Sequence, residues 1–227
     1  MAAGLGTRLR PVTERWPKPV LPIDGRPVIA ILLRELAAAG CARVWVVTGY
    51  LAEQVEALVG DGSAFGVTVR FVRQPEALGS ADAVQRALDD GAEPPLIVSA
   101  ADTVFRTGDI AQFAAAFAES DAVGAIAVRT DPGPESGRLA VRREGERIVD
   151  LREGDPGGVW TPAPLWGMRR ETAARLRLDR APYELGNAYQ AAIDAGEVVT
   201  AIEIGKTRDL TDPLDLVKEN FPYLRAT

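Results

Sequence analysis

The chain has no histidine among its 227 residues and a single cysteine, Cys41. Without an imidazole there is no side chain that titrates near neutrality by default. His-based acid–base catalysis, His-ligated zinc and the usual serine triad are therefore excluded. One thiol forms no intrachain disulfide, so a reducing compartment, the cytoplasm, is the expected location. Cys41 lies in Ala-Gly-Cys-Ala-Arg just ahead of a strand and reads as a small packed side chain, not a nucleophile. No apolar run approaches about 18 residues and no signal-peptide pattern is visible, so no membrane partner is expected. Positive charge is also scarce. The 26 Lys and Arg against 32 Asp and Glu leave a net charge of −6, which argues against nucleic acid or an anionic membrane surface. Any anionic ligand must then be held by a local concentration of donors.

What is present is ordinary in amount: 47% hydrophobic and 26% charged residues, over a length that fits one α/β domain. Its order is more informative. Helical spacing over 28–39, with Gly40 as a stop, precedes a β-branched strand at 44–48. A helix at 51–59, a strand at 67–72, a helix at 81–88, a strand at 96–98, a helix at 110–117 and a strand at 122–128 follow. Strands separated by helices imply parallel pairing with helices on both faces. The second half changes character. Segments 138–141 and 147–151 bracket Glu144-Gly145-Glu146 as a hairpin, followed by a strand at 164–168, helices at 169–176 and 183–195, a strand at 198–204 and a helix at 214–220. The expected fold class is α/β: a three-layer α/β/α arrangement with a mostly parallel, Rossmann-like sheet and a small antiparallel hairpin insertion.

The densest signal lies at the start, in Ala2-Ala3-Gly4-Leu5-Gly6-Thr7-Arg8-Leu9-Arg10-Pro11 and then Trp16-Pro17-Lys18-Pro19-Val20-Leu21-Pro22-Ile23. Two glycines flank one residue, so backbone N–H groups can turn inward. With Arg8 and a proline-stiffened Lys18 they make a cradle for a polyphosphate. This is not a dinucleotide fingerprint, which needs a third glycine where Leu9 stands. Nor is it a P-loop, which needs Gly-Lys-Ser/Thr where Gly6-Thr7-Arg8 stands. The composite G-x-G-T-R-L-x-P followed by K-P-x-L-P-I resembles the signature of the sugar-phosphate nucleotidyltransferases. Those enzymes join a nucleoside triphosphate to a sugar 1-phosphate and release pyrophosphate. The resemblance extends to about residue 220 and implies one domain over 1–227, with a nucleotide-binding half to about 105 and a sugar-binding half after it.

The resemblance assigns roles to matching positions. Ala3, Gly4, Leu5, Gly6 and Thr7 would offer backbone to the triphosphate. Arg8 would hold the β- and γ-phosphates with a planar fork. Lys18 would stand near the α-phosphate and the incoming sugar phosphate, lowering the repulsion between two anions. Gln74-Pro75-Glu76-Ala77-Leu78-Gly79-Ser80-Ala81 resembles the segment that binds the base. There Gln74 can read a base edge through its donor and acceptor, and Gly79 would let the base lie close. A glutamine at this place resembles the uridylyl- and thymidylyl-transferring members, which favours UTP or dTTP. Ser80 belongs to the same segment, and its hydroxyl also reads as the N-cap of the next helix.

Asp102 follows the apolar run 96–98, at the strand end where open α/β sheets bind ligands. The resemblance makes it a magnesium ligand, although Ala101 stands where the family has glycine. Asp209, in Asp209-Leu210-Thr211-Asp212-Pro213, would be the second Mg2+ ligand; alternatively Asp209 or Asp212 only caps the last helix. On the sugar side the matching positions are Gly137, Glu153 (without the lysine that usually follows) and Asn187. Trp160 and Trp166 read as core or pocket wall. A buried strand should precede the glycine loop, yet only residues 1–3 do; either the native start lies upstream of Met1 or the first strand is shortened. The resemblance admits a homodimer. Two other readings stay open: transfer to a non-sugar phosphorylated acceptor such as phosphocholine or a molybdenum cofactor, and a catalytically silent module that binds nucleotides or nucleotide sugars.

Overall fold

The computed structural model describes residues 1–129, 139–153, 160–179 and 183–221. In chain order its strands are β1 (Pro22–Ile23), β2 (Arg26–Pro27), β3 (Arg43–Thr48), β4 (Thr68–Arg73), β5 (Leu96–Ser99), β6 (Thr103–Val104), β7 (Gly124–Arg129), β8 (Leu139–Glu144), β9 (Arg147–Glu153), β10 (Thr161–Met168), β11 (Val199–Glu203) and β12 (Arg208–Asp209). Its helices are α1 (Val28–Ala38), α2 (Ala52–Val59), α3 (Ser80–Asp89), α4 (Asp109–Glu119), α5 (Arg170–Ala173), α6 (Gly186–Asp194) and α7 (Pro213–Asn220). The chain forms two compact units. One comprises Met1–Ala77, Ala100–Phe105 and the segment from Thr207; the other comprises Leu78–Ser99 and Arg106–Lys206. Helix α3 and β5 go with the second unit and α7 with the first, so the units interleave along the chain.

In the first unit β3 and β4 pair in parallel, Val44 opposite Val69 through Thr48 opposite Arg73, joined across α2. The residues before the glycine loop extend this ladder. Ala2 bridges Thr48 in parallel, its N–H donating to the Val47 carbonyl at 2.7 Å, while the Met1 carbonyl accepts the Ala101 N–H at 2.8 Å. The backbone of Met1–Ala3 thus has a partner on either side. Helix α1 forms because Val28, Ile29, Leu32, Leu33 and Leu36 make one apolar stripe, and all five are buried.

The second unit holds a six-stranded sheet in the order β5-β10-β7-β11-β9-β8. The sheet is mixed, so the expected parallel arrangement is present in part: β7 and β11 are parallel, whereas β10 runs antiparallel to both β5 and β7, and β9 runs antiparallel to β11 and β8. Direction follows from connections. A parallel return needs a crossover, usually a helix, and among the described residues only the β8–β9 hairpin stands between β7 and β10. Helices cover both faces. A Cβ at Gly124 of β7 would meet Tyr189 of α6, and one at Gly167 of β10 would meet Phe117 of α4. Gly167 pairs with Ala125, the next residue after Gly124 and therefore on the opposite face. The unit is an α/β/α sandwich with the expected hairpin at its edge. Among the described residues no helix is long and apolar enough to cross a membrane.

Candidate active site

Arg8, Lys18, Asp102 and Asp209 stand next to one hydrophobic base in the first unit. Leu9, Leu21, Ile23, Val28, Val104 and Leu210 are all buried in a single cluster, with Val12, Ile31 and Leu216 packed against it. Each candidate is next to, or a few residues from, one of these anchors: Arg8 precedes Leu9, Lys18 is three before Leu21, Asp102 is two before Val104, and Asp209 precedes Leu210. Burying such a side chain stabilises the fold by about 1.5–3 kcal/mol. Segments far apart in sequence are thereby held together, and their polar neighbours are left at the rim.

At that rim Lys18 Nζ lies 2.7 Å from Asp102 Oδ2, with side-chain exposures of 13% and 34%. Pro17 is extended and Lys18 opens a 3-10 turn with Pro19 next, so the segment carrying the ammonium has little backbone freedom. Asp209 joins them through register. Strands β6 and β12 pair antiparallel with Asp209 opposite Thr103, the residue after Asp102. The capping question resolves in favour of Asp212, whose carboxylate accepts the Leu214 N–H at 2.8 Å in a capping box with Asp215. Asp209 is exposed and accepts from the Thr211 hydroxyl at 3.3 Å. Two carboxylates and hydroxyl oxygens are hard donors of the kind magnesium takes while keeping waters and phosphate oxygens, so the residues present fit that ion. Among the described residues no three Asp, Glu or Cys side chains cluster into a closed metal cage.

The glycine loop opens with Ala3 buried and Gly4, Leu5 and Thr7 at the surface. Gly6 adopts φ +61, and its carbonyl accepts from the Thr13 hydroxyl and the Leu9 N–H, each at 2.9 Å. Among the described residues the N–H groups of Gly4, Leu5, Gly6, Thr7 and Arg8 donate to no other backbone group. Arg8 is exposed, without an ion pair to any described residue. Gln74 is 4% exposed, and its N–H donates to the Thr48 carbonyl at 2.7 Å. Gly49 was missed by sequence reasoning. A Cβ there would lie 2.7 Å from the Gln74 carbonyl oxygen and 2.9 Å from both Cβ and O of Ala3, so its absence lets the loop after β3 close against both candidates. A glycine immediately after a buried strand was the available signal.

Gly79, Ser80, Glu153 and Asn187 lie in the second unit. Gly79, at φ +114, owes its identity there to Tyr183: an added Cβ would lie 2.5 Å from the Tyr183 carbonyl oxygen. The Tyr183 N–H donates to Leu78 and the Ala81 N–H donates to Tyr183. The N-cap of α3 is Gly79, not Ser80. The Ser80 hydroxyl instead donates to Glu184 at 3.0 Å and accepts the Leu185 N–H at 2.7 Å, because the segment before α6 is packed against the start of α3. Asn187 is exposed on the first turn of α6. One turn on, Gln190 accepts the N–H of Leu151, two residues before Glu153 at the end of β9. Gly137 lies outside the described residues. Trp166 packs at 5.0 Å on Tyr189 and Trp160 lies under the Arg143 guanidinium, so both are half-buried packing groups. Burial pushes the Cys41 thiol up, which suits a packed side chain and not a nucleophile.

The nucleotidyl transferase family model matches residues 1–153. The glucose-1-phosphate thymidylyltransferase of Streptomyces griseus is 29% identical over 236 residues, covering all of this chain and 66% of that protein. The N-acetylmuramate alpha-1-phosphate uridylyltransferase of Neisseria meningitidis is 38% identical over 101 residues, 44% of each chain. The present chain therefore spans less than two thirds of the length of either curated relative. In structure it superposes on a Bacillus anthracis protein described as a glucose-1-phosphate thymidylyltransferase, in complex with sucrose. The TM-score is 0.87 at 20% identity, covering 100% of this chain and 94% of that one. That likeness fixes the fold. The family match takes in the glycine loop, Lys18 and Asp102 together, and the chain belongs to the nucleotidyl transferase family.

Proposed function

We propose that the protein transfers a nucleotidyl group from a nucleoside triphosphate, UTP or dTTP, to a sugar 1-phosphate, giving a nucleoside diphosphate sugar and pyrophosphate. The observation that carries this reading is the 2.7 Å contact between Lys18 and Asp102 beside the glycine loop. A cation and an anion held together at a rim of unused backbone donors suit a substrate that is itself a polyanion escorted by a divalent cation.

In this mechanism a sugar phosphate oxygen attacks the α-phosphorus, and the bond from that phosphorus to the bridging oxygen of the β-phosphate breaks. The electron pair leaves with pyrophosphate. The attacker is already ionised, so the enzyme needs neither a nucleophile nor a general base, which agrees with a chain that has no histidine. Backbone N–H groups of Gly4 to Thr7 orient the triphosphate, and Arg8 takes the charge that builds on the leaving β- and γ-phosphates. Lys18 neutralises the α-phosphoryl oxygens as the second anion approaches. Asp102 and Asp209 would hold Mg2+, which supplies charge neutralisation on the phosphates when bound. Gln74 reads the base, while Glu153 and Asn187 take the sugar hydroxyls. A cytoplasmic location and a homodimer belong to the same reading.

Four nucleoside triphosphates assayed against a panel of sugar 1-phosphates in magnesium buffer, with pyrophosphate release as readout, test it. Sugar-dependent release with UTP or dTTP is expected. Release only with GTP or CTP would overturn the base preference. Release only with phosphocholine or another non-sugar acceptor would overturn the acceptor, and nucleotide binding without release would mark a silent module.

A further inference from the structure

Asp209 is flanked by two residues that are held by contacts outside the β6–β12 ladder. Leu210 is fully buried in the hydrophobic base. Arg208 is clamped by two carboxylates. Its Nη1 and Nη2 donate to Oδ2 and Oδ1 of Asp24 at 2.6 and 2.9 Å. Its Nε donates to Glu219 Oε2 at 2.5 Å, and Nη2 reaches the Glu219 carbonyl at 3.4 Å. Asp24 forms the turn between β1 and β2 at φ +52, and its N–H donates to the Glu219 carbonyl at 3.3 Å. Asn220 closes the knot: it accepts the Gly25 N–H at 2.9 Å and donates to the Pro22 carbonyl at 2.8 Å. The β1–β2 turn, the end of α7 and Arg208 are thus one hydrogen-bonded assembly within the first unit.

Strand β12 has two residues, and two ladder pairs hold register weakly. Side chains alternate along a strand, so Arg208 and Asp209 face opposite ways, and the anchoring of Arg208 leaves the Asp209 side chain outside the knot. We propose that Arg208 is a positioning residue for Asp209: its fork on Asp24 and Glu219 locks β12 in the register that sets Asp209 opposite Thr103, the residue after Asp102, and so sets the affinity for a divalent cation. This rests on reading Asp209 as a cation ligand. A lysine has the charge but not the planar fork that engages both oxygens of Asp24.

The test uses the full chain and Mn2+ alone as probe, with bound ion read from loss of the free-ion electron paramagnetic resonance signal and folding checked by thermal melting. Arg208→Ala is expected to weaken Mn2+ binding by about tenfold, a typical loss when the support of a ligand is removed. Arg208→Lys and Asp24→Asn should give smaller losses, and they carry the test if Arg208→Ala does not fold. In an Asp209→Asn background, Arg208→Ala should cause no further loss, which a general structural role would not reproduce. Wild-type affinity in Arg208→Lys, Asp24→Asn and a folded Arg208→Ala would overturn the proposal, as would an equal loss with and without Asp209. If Asp209→Asn alone binds Mn2+ like the parent, the reading of Asp209 fails first and the proposal falls with it.

Discussion

Replacing Lys18 with methionine keeps an unbranched side chain one atom shorter and removes its charge. The substitution breaks the 2.7 Å pair with Asp102. At an effective dielectric of about 20, two unit charges at that separation attract by roughly 6 kcal/mol before any desolvation cost. With Asp102 a third exposed, solvent screening and the cost of ordering the side chains leave a net of only about 1 kcal/mol. For a chain of this size that lowers the melting temperature by roughly 2–4 °C. The catalytic loss should be larger, because in the proposed transfer the ammonium faces charge that develops in the transition state. Removing one such group typically costs about 3–4 kcal/mol, or about 100- to 1000-fold in kcat. Pyrophosphate release at saturating substrates, set beside a melting curve of the same sample, separates the two effects. A kcat within about threefold of the parent would refute the reasoning. So would a loss of activity accompanied by unfolding at the assay temperature.

Other outcomes follow from the same geometry. Asp102→Asn should raise the magnesium concentration needed for half-maximal turnover, and an unchanged magnesium titration would remove Asp102 from the cation site. Gly79→Ala forces a Cβ to within 2.5 Å of the Tyr183 carbonyl at a left-handed φ, and should cost about 2–3 kcal/mol in denaturant unfolding. A neutral substitution would mean that Tyr183 is not seated there. Burial pushes the Asp215 carboxyl up, but the N–H groups of Asp212 and Thr211, with Lys218, outweigh it and hold the group below its ordinary value. Its contribution to stability is then full above the unfolded value of about 3.9 and is lost as pH falls through the lower folded value. Asp215→Asn should flatten that acid limb in melts taken across the range, and an unaltered limb would contradict the assignment.

Long elements were legible in the residues because each carries several turns or pleats of pattern. The stripe of α1 and the β-branched run of β3 are examples. Strand direction was not. The apolar run of β10 reads the same either way up, and its sense is seen only in its antiparallel pairing with β5 and β7. The two-residue strands β6 and β12 carry no period at all, yet they bring Asp209 opposite the neighbour of Asp102. That pairing was reachable through motif resemblance alone. Ser80 shows the opposite failure. A hydroxyl at the head of a helix is an obvious cap in sequence, but tertiary packing brings the Leu185 N–H and Glu184 to it instead. The role of Gly49 depends on two backbones converging from residues 3 and 74, which no local window contains.

A crystal grown with UTP and soaked with Mn2+ locates the ion and the triphosphate by anomalous scattering in one experiment. The ion should lie within coordinating distance of Asp102 and Asp209, and the triphosphate along the N–H groups of Gly4 to Thr7, with Lys18 at its α-phosphate. Nucleotide bound elsewhere, or an ion that touches neither aspartate, would contradict the arrangement on which the proposed transfer depends.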